Sequence, residues 1–313
     1  MTGVAWTLLD LGYREDAERI ISMTFDHPQL WDSPDLFHGV AGWGMGLLRF
    51  FLATGDERYL ATARRAGEFL ERARIRDAGS SHWQNGPRIF CGLGHGSAGI
   101  GLFLLYLSLA TGDTRFAGVG QEAIAHVLTS ALENPDGGFT WLVDEKHVTR
   151  TPYWRWGSAG IGISLLRYAM VLSDPEYEDA LERLHIDTDR KYAIFPGHQT
   201  GLAGIGDFYL DWRMFRPNDD RAIESAKRVT SGVLLFKLPR EGGIAFPGET
   251  RTHISCDYLT GSAGIGAFIH RLVYGGATAF MLDALIPESR RAIPALPGSE
   301  FTRMGGATVL TGV

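Results

Sequence analysis

Ionisable side chains stand at matching positions ahead of a motif that this 313-residue chain repeats. Asp35 and Asp257 each lie four residues before a G-x-A-G motif, and Cys91 and Cys256 each lie five residues before one. The motifs begin at Gly39, Gly96, Gly157, Gly201 and Gly261. Because the motif recurs while the residues before it change, the motif indicates a scaffold and the preceding residues indicate a site.

The two aspartates could form a pair of carboxylates across a cavity, the arrangement that hydrolyses glycosidic bonds. The mouth of such a cavity would be rich in tryptophan, which suits stacking against sugar rings; these residues are Trp31, Trp83, Trp141, Trp154 and Trp156. The residue pattern therefore leaves a glycoside hydrolase open as one function.

Two short Cys/His pairs have the residue types and spacing of zinc ligands, namely Cys91-x3-His95 and His253-x2-Cys256. The two cysteines share one repeat position, and in a closed ring their repeats could face each other. We nevertheless expect both cysteines to be small buried apolar residues rather than ligands of a zinc ion.

Each motif is followed by an apolar stretch of helical length, such as GLFLLYLSLA after the second motif. A turn follows thirteen residues after the second glycine of the motif, as at Gly55 and Gly112, and an amphipathic segment such as residues 57–73 comes next. The unit is therefore a helical hairpin. Because the first helices carry almost no charge and no repeat resembles a polar cap, the repeats predict an all-α fold of the α/α toroid class.

The motif glycines have a structural explanation in this fold. Small residues at the start of each first helix let neighbouring backbones approach, and glycine can adopt the turn conformation that enters the helix. Residues 2–21 resemble a further hairpin with an incomplete motif, so we expect the chain to begin inside a repeat of a longer polypeptide. One toroid domain is predicted over residues 1–287, followed by a poorly ordered Pro/Gly-rich tail over residues 288–313.

Composition argues against several classes of protein. The net charge is −6 and no basic run stands out, which argues against nucleic-acid binding. No apolar run reaches the ~18 residues of a membrane span, and the N-terminus is not a secretory signal. Two cysteines are too few for a disulfide framework. We expect a cytoplasmic protein with neither nucleic acid nor membrane as a partner.

The motifs with their preceding residues resemble the LanC-like lanthionine cyclase family over residues 3–287. The resemblance is carried by SPDLFHGVAG, GLGHGSAG, YWRWGSAG and HQTGLAG. It implies an α/α toroid that adds cysteine thiols of a ribosomal peptide to dehydroalanine or dehydrobutyrine. Members of the family typically bind zinc through two cysteines, one of them in a W-C-Y-G motif, and through a histidine in C-H-G.

The match to the family's functional positions is partial. Asp35 and His95 take the positions of the proposed acid and base groups. Arg155 stands where the W-C-Y-G cysteine would be, and Gln199 and Thr200 stand where the C-H-G cysteine and histidine would be. We therefore expect no metal and no other cofactor. This pattern resembles the cyclase domain of class III lanthipeptide synthetases, which implies upstream lyase and kinase domains and a precursor peptide as partners.

The resemblance assigns roles to individual residues. His95 would move the proton, and Asp35 would orient it or take the thiol proton itself. The role of Arg155 is inferred from its charge and not from the family: it could give positive charge to a thiolate or an enolate. Arg155 could equally pair with Asp144, and Asp35 could cap a helix. The residues predicted to bind substrate are His38, Trp154, Trp156, Gln199, Thr200 and Asp257.

The sequence leaves three functions open. The first is a zinc-independent cyclase that forms lanthionine or labionin rings. The second is a non-catalytic scaffold that holds the precursor peptide while other domains act on it. The third is the glycoside hydrolase suggested by the two aspartates.

Overall fold

A computed structural model describes residues 1–287 of the chain. The described chain divides into two compact units, the first formed by Met1–Asp189 together with residues 280–287 and the second by Arg190–Ala279. Both units are built from helices, as the repeats predict, and the all-α fold class is confirmed. The tail predicted over residues 288–313 lies outside the described residues.

The first unit contains four helical hairpins in chain order. They pair α1 (Thr2–Asp10) with α2 (Arg14–Ser22), α3 (Val40–Thr54) with α4 (Glu57–Ala73), α5 (Ser97–Thr111) with α6 (Thr114–Thr129), and α7 (Ser158–Leu172) with α8 (Pro175–Thr188). Helix α5 is buried without a break from Ser97 to Ser108, which is why its sequence is apolar on every side.

The second unit continues the same construction. It contains the hairpin of α9 (Leu202–Phe215) and α10 (Asp220–Val233), followed by α11 (Ser262–Tyr274). Each of the five G-x-A-G motifs begins a helix, because its first glycine is the N-cap of α3, α5, α7, α9 or α11.

In the hairpins that begin with a G-x-A-G motif, the turn is formed by the residue that ends the first helix and the aspartate that caps the second. Three first helices end in a residue of left-handed conformation, Gly55, Gly112 or Ser173. An aspartate then caps the second helix by accepting a hydrogen bond from the N–H two residues later; these caps are Asp56, Asp113, Asp174 and Asp219. The predicted turn positions are thereby confirmed.

The motif glycines are required by close backbone approach rather than by an unusual backbone conformation. A Cβ on Gly39 would lie 2.1 Å from the carbonyl oxygen of Ser33, and one on Gly96 would lie 2.1 Å from that of Phe90. Their φ angles are −118° and −127°, which any residue can adopt. The expectation that these positions need a special turn conformation is therefore wrong, while the expectation of close approach is confirmed.

Short antiparallel strand pairs lie in the loops that lead to the next motif. They are β1 (Ile75–Asp77) with β2 (Ser80–His82), β3 (Gln84–Asn85) with β4 (Arg88–Ile89), β5 (Leu132–Glu133) with β6 (Phe139–Thr140), and β7 (Leu238–Arg240) with β8 (Gly243–Ala245). Turns of 3-10 helix cover Pro28–Trp31, Leu234–Phe236 and Asp283–Leu285.

Two of the tryptophans predicted at a cavity mouth belong to the core instead. Trp83 is 3% exposed and donates its indole N–H to the carbonyl of Leu70; Trp141 is 1% exposed and donates to Val127. Each indole therefore ties a loop to the end of the preceding helix. The prediction that these two rings could stack on a substrate is wrong, because neither ring face is accessible.

A buried ion pair joins the last described segment of the first unit to α7. Arg167 on α7 is fully buried and binds Asp283 with two N–H groups, at 2.9 and 2.6 Å, while the hydroxyl of Tyr106 also lies on Asp283. Removing one partner of such a pair leaves an uncompensated buried charge. The segment after Phe280 is thus held against α5 and α7. Among residues 1–287, no helix is long and apolar enough to cross a bilayer.

Candidate active site

The residues two positions before the motifs join neighbouring turns through their backbones. In the first unit, the N–H of Phe37 donates to the carbonyl of Gly94 at 3.0 Å, and the N–H of Gly94 donates to that of Arg155 at 2.8 Å. In the second unit, the N–H of Gln199 donates to the carbonyl of Leu259 at 2.8 Å. Turns of consecutive repeats are therefore held in register, which fixes where their side chains meet.

Asp35 and His95 are in direct contact, as their positions before consecutive motifs predict. Oδ2 of Asp35 lies 2.6 Å from Nδ1 of His95, and both side chains are buried. Burial by itself raises the pKa of Asp35, but hydrogen bonds from His95, the His38 backbone N–H and Asn85 outweigh it and hold that pKa below its ordinary value. Asp35 is therefore a carboxylate beside the imidazole.

Arg155 binds the other nitrogen of the same ring. Its Nε lies 2.9 Å from Nε2 of His95. A guanidinium can only donate, so Nε2 is the acceptor and the ring proton sits on Nδ1, facing Asp35. The carboxylate of Asp144, the alternative partner considered for Arg155, binds Arg88 and His147. The three residues predicted as catalytic thus form one hydrogen-bonded line in the order Asp35, His95, Arg155.

Aromatic rings enclose this line. Phe37 stacks on His95 at 5.1 Å between ring centroids and 26° between planes. The guanidinium carbon of Arg155 lies 4.2 Å from the ring centroid of Trp156 and 5.2 Å from that of Phe37. Trp154 packs edge-on against Phe37 at 6.1 Å. The two predicted substrate-binding tryptophans are therefore placed around the site, where they hold the arginine and the stacked phenylalanine.

His38 is the most accessible of the ionisable residues in this group. It is exposed, and its ring centroid lies 5.6 Å from that of His95. Its backbone N–H donates to Oδ1 of Asp35 at 2.7 Å. An exposed polar ring beside the buried histidine remains a candidate for contact with substrate.

Asp257 provides an internal comparison that separates two roles of Asp35. At this equivalent repeat position, Oδ1 of Asp257 accepts the N–H of Thr260 at 2.6 Å, as Oδ1 of Asp35 accepts that of His38. Oδ2 of Asp257 accepts the hydroxyls of Thr260 and Ser255, so both oxygens serve their own turn. Oδ2 of Asp35 is the atom that differs, because it faces outside its turn. In Asp35, Oδ1 thus stabilises the turn, and Oδ2 contacts residues of the site outside that turn.

Asn85 is a member of the site that sequence reasoning missed. Its Nδ2 lies 2.6 Å from Oδ2 of Asp35, and its Oδ1 accepts the hydroxyl of Ser33 at 3.3 Å. It lies in the hairpin of β3 and β4, where the Asn85-Gly86 pair is a recognisable turn signal. That signal predicts a hairpin but carries no information about which carboxylate the asparagine meets.

The remaining predicted site residues lie in the second unit. Gln199 and Thr200 are buried, at 6% and 5% exposure, and the hydroxyl of Thr200 donates to Glu249 at 3.0 Å. His198, the residue before them, binds Asp207 at 2.8 Å between Nε2 and Oδ2. These contacts fix the segment before α9, and the substrate-binding roles of Gln199, Thr200 and Asp257 remain predictions.

The residues present do not fit the zinc that the family resemblance implies. Arg155 has no lone pair to donate to a metal, and the Thr200 hydroxyl is directed at a carboxylate. Across residues 1–287, no group of three or more His, Cys, Asp or Glu side chains is placed to hold a metal ion.

The two cysteines differ from each other. Cys91 is half-buried, and burial raises the pKa of its thiol to about 11. Cys256 is exposed, so the expectation that both cysteines are buried is wrong for Cys256.

Comparison with known proteins places the chain in a family. A family model described as "Lanthionine synthetase C-like protein" matches residues 12–285. The "Probable SapB synthase" of Streptomyces coelicolor is 27% identical over 264 residues, which are 84% of this chain and 28% of that protein. The chain therefore spans less than a third of the length of that relative.

One solved structure supports the fold class. Nisin cyclase superposes with a TM-score of 0.58 at 15% identity, over 92% of this chain and 78% of that one, and it is an α/α toroid. A glycoside hydrolase family 76 mannosidase from Bacteroides thetaiotaomicron VPI-5482 covers 64% of this chain and 58% of its own at 14% identity. Its TM-score of 0.44 is too low to establish a common fold. The fold is thus of the α/α toroid class, and the chain belongs to the lanthionine synthetase C-like family.

Proposed function

We propose that this chain is a lanthipeptide cyclase domain that works without zinc. It would add cysteine thiols of a dehydrated peptide to dehydroalanine or dehydrobutyrine, forming lanthionine or labionin rings. The observation that carries the proposal is the hydrogen-bonded line of Asp35, His95 and Arg155, in which one buried imidazole is held between a carboxylate and a guanidinium. Family membership supports the reaction class.

The imidazole is suited to move one proton from sulfur to carbon. A free cysteine thiol has a pKa near 8.5, so a base is needed to form the thiolate near neutral pH. Nε2 of His95 would take the thiol proton once Arg155 has turned away from it. The other ring proton would stay on Nδ1, hydrogen-bonded to the carboxylate of Asp35, which stabilises the imidazolium that forms.

The carbon–sulfur bond forms in the next step. The thiolate sulfur attacks the β-carbon of the dehydroamino acid, and the π electron pair moves toward the carbonyl to give an enolate. The imidazolium of His95 then returns its proton to the α-carbon, so no proton is gained or lost overall. Arg155 would supply the fixed positive charge that a zinc ion gives elsewhere, first near the thiolate and then near the enolate oxygen.

Asp35 would orient His95 rather than take the thiol proton itself. Its Oδ1 is used by the N–H of His38, its Oδ2 by His95 and Asn85, and its side chain is almost fully buried. A peptide thiol would have to displace one of these donors to reach the carboxylate. Orientation of the imidazole and stabilisation of its charged form is the role that this environment supports.

The length of a relative supports the proposed partner domains and peptide substrate. The SapB synthase is named a synthase and is much longer than the matched region, which supports additional domains in the full-length protein. We infer that the chain acts on a ribosomal precursor peptide after kinase and lyase domains have dehydrated it. The exposed His38 and the rings of Trp154 and Trp156 would meet that peptide next to His95.

The test is ring formation on a dehydrated precursor peptide, with free cysteines counted by thiol alkylation and mass spectrometry. The purified chain should consume free thiols faster than the peptide cyclises alone, and His95→Ala should slow this by ~10²–10⁴-fold while peptide binding stays near that of the parent. Thiol loss at the uncatalysed rate, together with normal peptide binding, would instead support a scaffold that only holds the peptide.

A further inference from the structure

The hairpin of β3 and β4 is held at a fixed distance from the site by the loop before α7. The backbone N–H of Ile89 donates to Glu145 at 2.6 Å, and Nζ of Lys146 donates to the carbonyl of Pro87 at 2.7 Å. Arg88 binds the buried carboxylate of Asp144 at 3.3 Å. Three consecutive residues of one loop thus bind three consecutive residues of the hairpin.

The other strand of this hairpin reaches the catalytic carboxylate. Asn85 pairs with Arg88 across the two strands and donates from Nδ2 to Oδ2 of Asp35 at 2.6 Å. The hydroxyl of Ser33, which lies two residues before Asp35, donates to Oδ1 of Asn85 at 3.3 Å. With its amide oxygen occupied by this hydroxyl, the asparagine presents its NH2 group to the carboxylate.

We propose that Asn85 is a positioning residue for ring formation, acting by holding Oδ2 of Asp35 against Nδ1 of His95. The inference rests on the proposed function for its catalytic consequence, but the contact itself does not. Because Nδ2 of Asn85 and Nδ1 of His95 share one carboxylate oxygen, loss of the amide frees that oxygen to rotate or to accept a proton. The loop at residues 144–147 is the anchor that keeps the amide in place.

Charged and titratable groups lie on both sides of the contact between Asn85 and Asp35. His95 faces the Asp35 carboxylate from the next repeat, with Arg155 behind it, and His38 lies in the same turn as Asp35. At the far side of the hairpin lie Arg88, Asp144, Glu145, Lys146 and His147. A change at residue 85 therefore alters the charge environment of Asp35 most directly.

Two substitutions at this position should change the pH dependence in opposite directions. Asn85→Ala removes a donor from the carboxylate, so Asp35 protonates at higher pH and the ratio of variant to parent kcat/KM is smallest in acid and rises with pH. Asn85→Asp places a second carboxyl beside Asp35. It donates as the amide does while protonated and repels Asp35 when ionised, so its ratio falls with rising pH.

The experiment measures kcat/KM for cyclisation from pH 4.5 to 8.5 in the full chain, with both variants and the control Asn134→Ala. Asn134 also donates to a carboxylate, Asp187 at 3.4 Å, in the hairpin of β5 and β6. We expect about a 3- to 10-fold loss for Asn85→Ala at pH 4.5, which becomes smaller as pH rises, and a smaller, pH-independent change for the control. Ratios for both Asn85 variants that do not change with pH would overturn the proposal.

An NMR titration of Asp35 tests the positioning role of Asn85 independently of whether the chain forms rings. The carboxyl carbon of Asp35, assigned by its disappearance in Asp35→Asn, is titrated by NMR in the parent and in Asn85→Ala. The titration midpoint should move to higher pH in the variant whether or not the chain forms rings. An unchanged midpoint overturns the positioning role, whereas a moved midpoint in a parent that forms no rings overturns only the proposed function.

Discussion

Nε of Arg155 lies 2.9 Å from Nε2 of His95, so the guanidinium occupies the lone pair with which the imidazole would accept a proton. The same arginine is sandwiched against the ring of Trp156. In this structure the basic nitrogen of His95, Nε2, is therefore already hydrogen-bonded, and the positive charge of Arg155 lies next to it. In the mechanism proposed above, the incoming thiol replaces the imidazole as the partner of the guanidinium.

Removing the arginine should make cyclisation depend more steeply on alkaline pH. Without the fixed charge of Arg155 less thiolate forms near neutrality, so in Arg155→Ala the pH at which cyclisation becomes efficient should rise. Arg155→Lys keeps a charge but loses the planar stack on Trp156, and we expect an intermediate profile. Rates measured across pH with one dehydrated peptide check this. A profile for Arg155→Ala that coincides with the parent's would remove Arg155 from the mechanism.

The two equivalent aspartates should respond differently to the same substitution. Asp35→Asn should slow cyclisation, because its Oδ2 faces His95, and the defect should be milder than that of His95→Ala if the carboxylate only orients the ring. Asp257→Asn is the matched control for the loss of a turn carboxylate. Each asparagine keeps one side-chain oxygen that can accept the same backbone N–H, so both variants should stay folded.

Equal rates in the parent and in Asp35→Asn would contradict the catalytic reading of this carboxylate. A loss of kcat in Asp257→Asn as large as that in Asp35→Asn would also contradict it, because Asp257 is predicted only to bind substrate, a role that would change KM. Circular dichroism of both variants is the control for folding.

Purified protein should contain no stoichiometric zinc. The positions that bind zinc in the family hold Arg155, Gln199 and Thr200, whose guanidinium, amide and hydroxyl groups are poor substitutes for thiolate and imidazole. Elemental analysis of protein purified without chelator should give far less than one zinc per chain, and added zinc should not raise the rate of cyclisation. About one zinc per chain would refute this and return attention to the Cys/His pairs.

Acid should destabilise the fold through His126. Burial, and then the neighbouring His82 at 4.9 Å between ring centroids, lowers the pKa of His126 to about 4. An unfolded histidine titrates near 6.5, so between these values the unfolded chain binds more protons and stability falls as pH falls from about 6.5 to about 4. Allowing for solvent screening, the loss should be about 1–2 kcal/mol.

Urea unfolding at pH 7.0 and 4.5 measures this loss of stability. His126→Gln should show a smaller difference between the two pH values, because the amide does not titrate. His27→Gln, at an exposed position, should keep the difference seen in the parent. An undiminished difference in His126→Gln would mean that other groups cause the acid sensitivity.

The helical hairpins could be predicted because their signals are local. A 3.6-residue apolar period, a glycine that ends a helix and an aspartate that begins the next are all read from a few adjacent residues. The contact between Asp35 and His95 could be predicted because both stand at short, fixed offsets from motifs whose turns are hydrogen-bonded to each other.

Contacts that depend on the path of a loop could not be predicted in this way. Trp83 and Trp141 stand near the motifs in sequence, yet their loops fold back and bury them against helix ends. Asn85 reaches Asp35 only because a different loop holds its hairpin, and nothing local records that. Arg155 stands two residues before its motif, but its contact with His95 depends on its side-chain rotamer, which no local pattern predicts.

Backbone hydrogen bonds through Gly94 bring the turns of the site residues together. Gly94 bonds to Phe37 on one side and to Arg155 on the other, and an added Cβ would lie 3.0 Å from the Phe37 ring and 3.1 Å from the Arg155 carbonyl oxygen. Gly94→Ala should therefore move the two turns apart by a few tenths of an ångström. This separates Arg155 and the Phe37 stack from His95, and a displacement of catalytic groups on this scale should slow cyclisation about tenfold. The cost in folding stability should be about 1–2 kcal/mol. Gly118→Ala, on an exposed face of α6 with nothing within 4 Å, is the control and should keep both the rate and the fold. A folded Gly94→Ala that cyclises at the parent rate would show that the spacing of these turns does not govern the site.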